Sequence, residues 1–234
     1  MFHPEPLPAD FRFAFPQKFS EVNVPVNGAS LNALHFTTEK PKGVVVFFHG
    51  NAGSLKRWGD VAESFISRGY DLFVFDYRGY GKSTGHIKSE QQLFDDAEQI
   101  YRHLSSRYAA QDIVIYGRSL GTGIASQLAL RHPPKMLILE TPYVSLKDLT
   151  AQFYPYVPGF LLKYPLRTDL ALPQIKCPVY LFHGTADEVI PYESSQRLLA
   201  LIQSPKELVT IADGMHNGLR LTPGYNAALD RILR

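Results

Sequence analysis

The chain has 234 residues, of which 45% are hydrophobic and 20% charged, and a formal net charge of +2. A chain of this size and composition buries roughly 70–75% of its unfolded surface, which excludes wholesale disorder and any need for a stapling disulfide or metal. The small net charge argues against a nucleic-acid or anionic-membrane partner, and the single cysteine, Cys177, excludes an intramolecular disulfide and a metal site built on Cys pairs.

The N-terminus, MFHPEPLPADF, is Pro-rich and has neither a basic n-region nor an apolar h-region, so no secretory signal is expected. The longest strongly apolar run, Val44–Phe48, falls far short of the ~20 residues of a membrane span, so no integral membrane segment and a cytoplasmic location are expected. Glu21–Val26 and Ser30–Thr37 read as an antiparallel hairpin turning at Asn27-Gly28. Six near-continuous apolar runs then read as strands covered on both faces: Gly43–Gly50, Asp71–Tyr77, Asp112–Gly117, Lys135–Glu140, Pro178–Gly184 and Glu207–Asp213. Between them the spacing predicts helices over Ser54–Arg68, Glu90–Ser106, Thr122–His132, Tyr192–Ile202 and Tyr225–Leu233. Such alternation implies an α/β protein with a mainly parallel, eight-stranded sheet and helices on both faces. Residues 1–234 read as a single domain. The stretch 145–172 breaks the rhythm with Phe153, Tyr154, Tyr156, Phe160 and Tyr164 set among prolines, and reads as a short cap over the strand ends.

Gly117-Arg118-Ser119-Leu120-Gly121 is a G-x-S-x-G between a predicted strand and a predicted helix, the context of a nucleophile elbow. The turn is so tight that the residues flanking the serine must be nearly bare, and the serine oxygen stands at a helix N-terminus whose amides favour negative charge. A serine needs a base to take its proton. The candidate base is His216, in Asp213-Gly214-Met215-His216, and the candidate acid is Asp187, in His183-Gly184-Thr185-Ala186-Asp187. Each follows a predicted strand, so all three side chains fall on the C-terminal edge of a parallel sheet. Glu188 is the nearest rival acid and Glu140 a more distant one. The loop His49-Gly50-Asn51-Ala52-Gly53 also follows a strand. Its Asn51 amide, with the amide of Leu120, is the candidate oxyanion hole. His49 is read as a structural hydrogen-bonding residue, and Arg118 as the partner of a local carboxylate rather than a lure for an acidic substrate.

Taken together, HGNAG, DYRGYGKS (Asp76–Ser83), GRSLG, HGTADEVIP (His183–Pro191) and DGMH resemble the α/β-hydrolase superfamily, and within it the small bacterial esterases and eukaryotic acyl-protein depalmitoylases. The resemblance implies a Ser119–His216–Asp187 triad, an oxyanion loop at Asn51 and cleavage of an ester, thioester or related acyl bond, with the Asp76–Ser83 loop mainly structural. Carboxylesterase chemistry on a small-molecule acyl ester leads. A thioesterase, a lipase or a peptidase would use the same groups, and a slow-turnover or non-catalytic receptor on the same fold is the alternative from another class.

Other signals fall away. Gly81-Lys82-Ser83-Thr84 lacks the first glycine of a phosphate loop, because that position is Asp76. Gly121 and Gly123 lack the third glycine of a dinucleotide fingerprint, which falls on Ser126. The eight histidines have no metal-ligand spacing, so neither metal nor cofactor is expected. Cys177 is read as a buried thiol at a strand edge. Oligomeric state is not legible.

Overall fold

The computed structural model describes residues 2–153 and 163–234, with backbone alone for Gln152 and Phe153. Eight strands form one sheet: β1 (Phe19–Val26), β2 (Ala29–Phe36), β3 (Val44–Phe48), β4 (Asp71–Phe75), β5 (Ile113–Arg118), β6 (Met136–Glu140), β7 (Val179–Gly184) and β8 (Lys206–Ile211). Their spatial order is β1-β2-β4-β3-β5-β6-β7-β8. The two pairings that involve β2 are antiparallel, and the other five are parallel. The expected hairpin is β1–β2, with Gly28 supplying the positive φ of the turn.

Strands β3, β4 and β6 are buried along their whole length, which explains their unbroken apolar sequence. Side chains alternate between the two faces. Val44, Val46 and Phe48 join one core cluster with Ile100 of α3 (Glu90–Ser105) and Ile124 of α4 (Leu120–Arg131). Val45 and Phe47 join a second cluster on the opposite face with Phe65 and Leu229. Each such side chain, fully buried, contributes about 1.5–3 kcal/mol.

The single helix expected over 54–68 is broken. Its place is taken by α1 (Leu55–Trp58), a 3₁₀ turn over Gly59–Ala62, and α2 (Glu63–Ile66). The Phe15 ring lies where a side chain at Gly59 would be, with a ring carbon 2.2 Å from a Cβ built there. A tertiary contact therefore decides the path where glycine offers little helical preference. Further along, α5 (Leu146–Phe153) and α6 (Thr168–Ala171) flank the undescribed stretch, and α7 (Glu193–Leu201) and α8 (Pro223–Ile232) complete the outer layers. Of the aromatic residues expected in a cap, Tyr154, Tyr156, Phe160 and the Phe153 side chain lie outside the described residues. Tyr164 is buried, donates to the Ile87 carbonyl at 3.1 Å and meets the Phe2 ring edge-on at 5.1 Å. Among the described residues no helix is long and apolar enough to cross a membrane.

The Pro-rich N-terminal segment, to which the sequence assigned no structure, is an ordered arm. His3–Pro4 pairs in parallel with Ala52–Gly53, and the Glu5 carbonyl and Leu7 amide bond Gly81 at 3.0 and 2.9 Å. The arm thereby stitches together the loops that follow β3 and β4. The second of these loops is anchored to α3 by a buried bidentate pair, Arg78 to Asp96, at 2.6 and 2.7 Å. Asp96→Ala strands a buried guanidinium and is expected to lower the unfolding free energy by about 3–5 kcal/mol, read from urea unfolding curves.

Candidate active site

Ser119 joins β5 to α4 with φ 50° and ψ −117°. That is a sparsely populated conformation for a residue with a side chain and costs roughly 1–3 kcal/mol. The surroundings enforce it. A Cβ at Gly121 would lie 2.1 Å from the Phe48 carbonyl oxygen, and one at Gly117 would lie 2.7 Å from both the Ala125 Cβ and the Gly121 oxygen. Glycine is thus required on both sides. The Ser119 amide donates to the Glu140 carbonyl at 2.9 Å, tying the turn to β6.

His216, in the loop after β8, places Nε2 3.1 Å from Ser119 Oγ. Its Nδ1 lies 2.9 Å from Asp187 Oδ2 and 3.1 Å from Oδ1. With Nδ1–H donating to the carboxylate, Nε2 is left as an acceptor toward the hydroxyl. The Asp187 side chain is fully buried. It also accepts from the Val189 and Ile190 amides at 2.9 and 2.8 Å and lies 3.2 Å from His183 Nε2. Burial alone would raise its pKa, but the hydrogen bonds from His183, His216 and Ile190 outweigh burial and hold the carboxyl well below the usual carboxylate range.

The rival acids have other partners. Glu188 accepts from the His216 backbone amide at 3.2 Å. Glu140 receives Arg118 Nε at 2.9 Å and the Tyr116 hydroxyl. Arg118 therefore has the local carboxylate partner expected of it. Its Nη2 also donates to the His216 carbonyl and to Asn217 Oδ1, at 3.0 and 2.9 Å.

The His49–Gly53 loop packs against the serine: a Cβ built at Gly50 would lie 3.7 Å from the Ser119 Cβ. Each carbonyl in this loop has a donor. Tyr77 Oη serves His49 (2.9 Å), His49 Nδ1 serves Gly50 (2.7 Å), Tyr80 Oη and the His3 amide serve Asn51 (2.8 and 3.2 Å), Trp58 Nε1 serves Ala52 (2.9 Å) and the Glu5 amide serves Gly53 (3.1 Å). Beneath the loop, the buried His49 Nε2 faces Asp76 Oδ1 at 3.4 Å, and Asp76 Oδ2 accepts from the Leu55 amide at 3.1 Å. Burial pushes the Asp76 carboxyl up, against the pull of His49. Leu120 is the first residue of α4, so its amide is one of the unpaired donors at a helix start. The arm and Trp58 escaped sequence reasoning because no motif links them to the loop, and Tyr80 was placed only within the structural Asp76–Ser83 loop. Cys177 is buried, and burial pushes its thiol up to about 11, which makes it unreactive. Among the described residues no group of three His, Cys, Asp or Glu side chains could hold a metal ion.

A serine after β5, an acid after β7 and a histidine after β8, on this strand order, define an α/β-hydrolase-fold protein. The chain belongs to the family described as Hydrolase_4, serine aminopeptidase, S33, which it matches over residues 39–168. It is 34% identical over 195 residues to an uncharacterized protein of Mycobacterium tuberculosis, covering 81% of this chain and 68% of that one. It is 33% identical over 188 residues to the lysophosphatidylserine lipase ABHD12 of Danio rerio, covering 70% of this chain and 48% of the relative, so it spans about half that protein's length. The fold is also that of the Pyrococcus furiosus esterase Pf2001, with a TM-score of 0.78, 17% identity and coverage of 100% and 97% of the two chains.

Because the Asp187 carboxyl is held below its unfolded value of about 3.9, it stabilises the fold above that pH, and this contribution is lost as pH falls toward the folded value. The stability advantage of the native chain over Asp187→Asn is expected to be full near pH 6 and to shrink below about pH 4, as measured by denaturant unfolding across that range.

Proposed function

We propose that the protein is a serine hydrolase acting on carboxylic esters through Ser119, His216 and Asp187. The observation that carries this is the continuous hydrogen-bonded line from Ser119 Oγ to His216 Nε2 and from His216 Nδ1 to Asp187. Oγ attacks the acyl carbonyl while Nε2 takes the hydroxyl proton. The buried Asp187 carboxylate holds the ring in the required tautomer and stabilises the imidazolium. His216 then gives the proton to the leaving alcohol, and an acyl-enzyme remains. A water molecule, deprotonated by His216 in turn, releases the acid and restores Ser119. Charge developing on the carbonyl oxygen is met by the amides of Asn51 and Leu120, each worth about 10²–10³ in rate.

The same groups can attack a thioester or an amide. The ester reading is favoured by the zebrafish relative, whose name is that of a lipase; the family description, an aminopeptidase, keeps the amide reading as the rival. The test is two substrate series, p-nitrophenyl esters from acetate to palmitate and aminoacyl p-nitroanilides, run beside labelling with a tagged fluorophosphonate. Ester turnover with labelling at Ser119 supports the proposal. Turnover of anilides alone moves the activity to peptides, and no labelling of the folded chain favours the receptor reading.

Ser119→Ala is expected to abolish both labelling and ester turnover while leaving the circular dichroism spectrum unchanged. Asp187→Asn is expected to lower kcat by about 10⁴-fold. Glu188→Gln is expected to stay within a few-fold of the parent, since Glu188 meets only the backbone of His216. The opposite ranking of the two acids would move the assignment by one residue.

A further inference from the structure

Beside the triad, on the sheet face that carries α1, α2 and α8, lies a cavity of about 320 Å³ whose lining includes neither Ser119 nor His216. Three arginines line it, Arg57, Arg118 and Arg220, beside apolar walls from Trp58, Phe65 and Tyr225. Glu140 is the one acidic residue in its lining, and its carboxylate is already taken by Arg118 and Tyr116. Arg57 is exposed, Arg220 spends Nη1 on the neutral Asp60 carbonyl, and neither forms an ion pair with a described residue. Two arginines that form no ion pair with a described residue therefore line one cavity, in a chain whose whole net charge is +2.

We infer that this cavity is a second binding site, for a small organic anion: a carboxylate or phosphate monoester carried on an aromatic or short alkyl body. Guanidinium groups match these oxygens in geometry as well as charge, and a concave site with apolar walls and a few fixed polar groups is the usual form of a small-molecule pocket. The site is coupled to the triad by Arg118. The Arg118 guanidinium lies 5.0 Å from the centre of the Trp58 ring and donates to the His216 carbonyl and to Asn217. An anion bound at Arg118 bears on the loop that carries His216. The inference stands on the cavity itself and does not depend on the reaction proposed for Ser119.

Trp58 is the only tryptophan in the chain and lines the cavity, so intrinsic fluorescence reports this site. The experiment is a titration with phenyl phosphate, with benzyl alcohol as a neutral probe of similar shape. Saturable quenching by phenyl phosphate and none by benzyl alcohol is expected. The double variant Arg57→Gln/Arg220→Gln is expected to weaken binding by about tenfold or more, and Arg57→Lys/Arg220→Lys, which keeps the charge and controls for folding, to weaken it less. No saturable change, equal quenching by benzyl alcohol, or undiminished binding by the glutamine variant would overturn the inference. Ser119→Ala is expected to bind phenyl phosphate as the parent does, so that loss of turnover and loss of this site are read separately. In an ester assay, inhibition by phenyl phosphate that weakens in Arg57→Gln/Arg220→Gln is expected; if noncompetitive it assigns the site to a free ligand, if competitive to the acidic end of a substrate, and inhibition undiminished in that variant places the anion at Ser119 and overturns the inference.

Discussion

The strained turn at Ser119 sets the terms for everything around it. A side-chain-bearing residue with φ 50° is held there because β5, β6 and α4 leave the backbone no other path. The Phe48 carbonyl presses on Gly121, and Ala125 presses on Gly117. The strain at the serine is therefore offset by packing of the central strands, and those strands are the most deeply buried part of the molecule. A core of this kind is built from rigid, close-packed side chains, and that rigidity is what can hold a hydroxyl at a fixed distance from a ring arriving from another part of the chain.

Two polar assemblies carry this rigidity out to the loops. Under the His49–Gly53 loop, His49 and Asp76 face each other in a dry environment, and Tyr77, Tyr80, Trp58 and the N-terminal arm occupy the loop carbonyls. Under the histidine loop, Arg118 and Glu140 bridge β5 and β6 and reach the backbone of His216 and the side chain of Asn217. Both assemblies use residues next to the candidate site in sequence. Arg118 precedes Ser119, and His49 opens the loop that packs against it. The sheet thus delivers a functional group and its support on the same strand end.

What could be read in the sequence follows from how local each signal is. The strands were legible because burial on both faces leaves uninterrupted apolar runs, as in Val44–Phe48 and Met136–Glu140. The elbow was legible because its steric demand falls on adjacent residues, Gly117 and Gly121. Asp187 and His216 could be nominated because each follows a strand, yet their meeting, across 29 residues, is a property of the sheet order alone. The break in the helix at Gly59 was not legible, since its cause is Phe15, forty-odd residues upstream. Nor was the arm, whose Pro-rich composition carries no period and whose bonds go to Asn51, Gly53 and Gly81. The pairing of Arg118 with Glu140 joined two residues that sequence reasoning had weighed separately, one for an unnamed carboxylate and one as a rival acid.

The position of β8 has a consequence of its own. Among the described residues it is an edge strand, bonded only to β7, with two of its six residues exposed and two more half-buried, and it precedes the loop that carries His216. Edge elements open locally at lower free energy than the strands they flank. Fraying of β8 would draw the imidazole away from a serine that stays in place at the centre of the sheet. Ser119 and His216 therefore belong to parts of the molecule with different lifetimes against opening, and the contact between them can be broken by a fluctuation far smaller than unfolding.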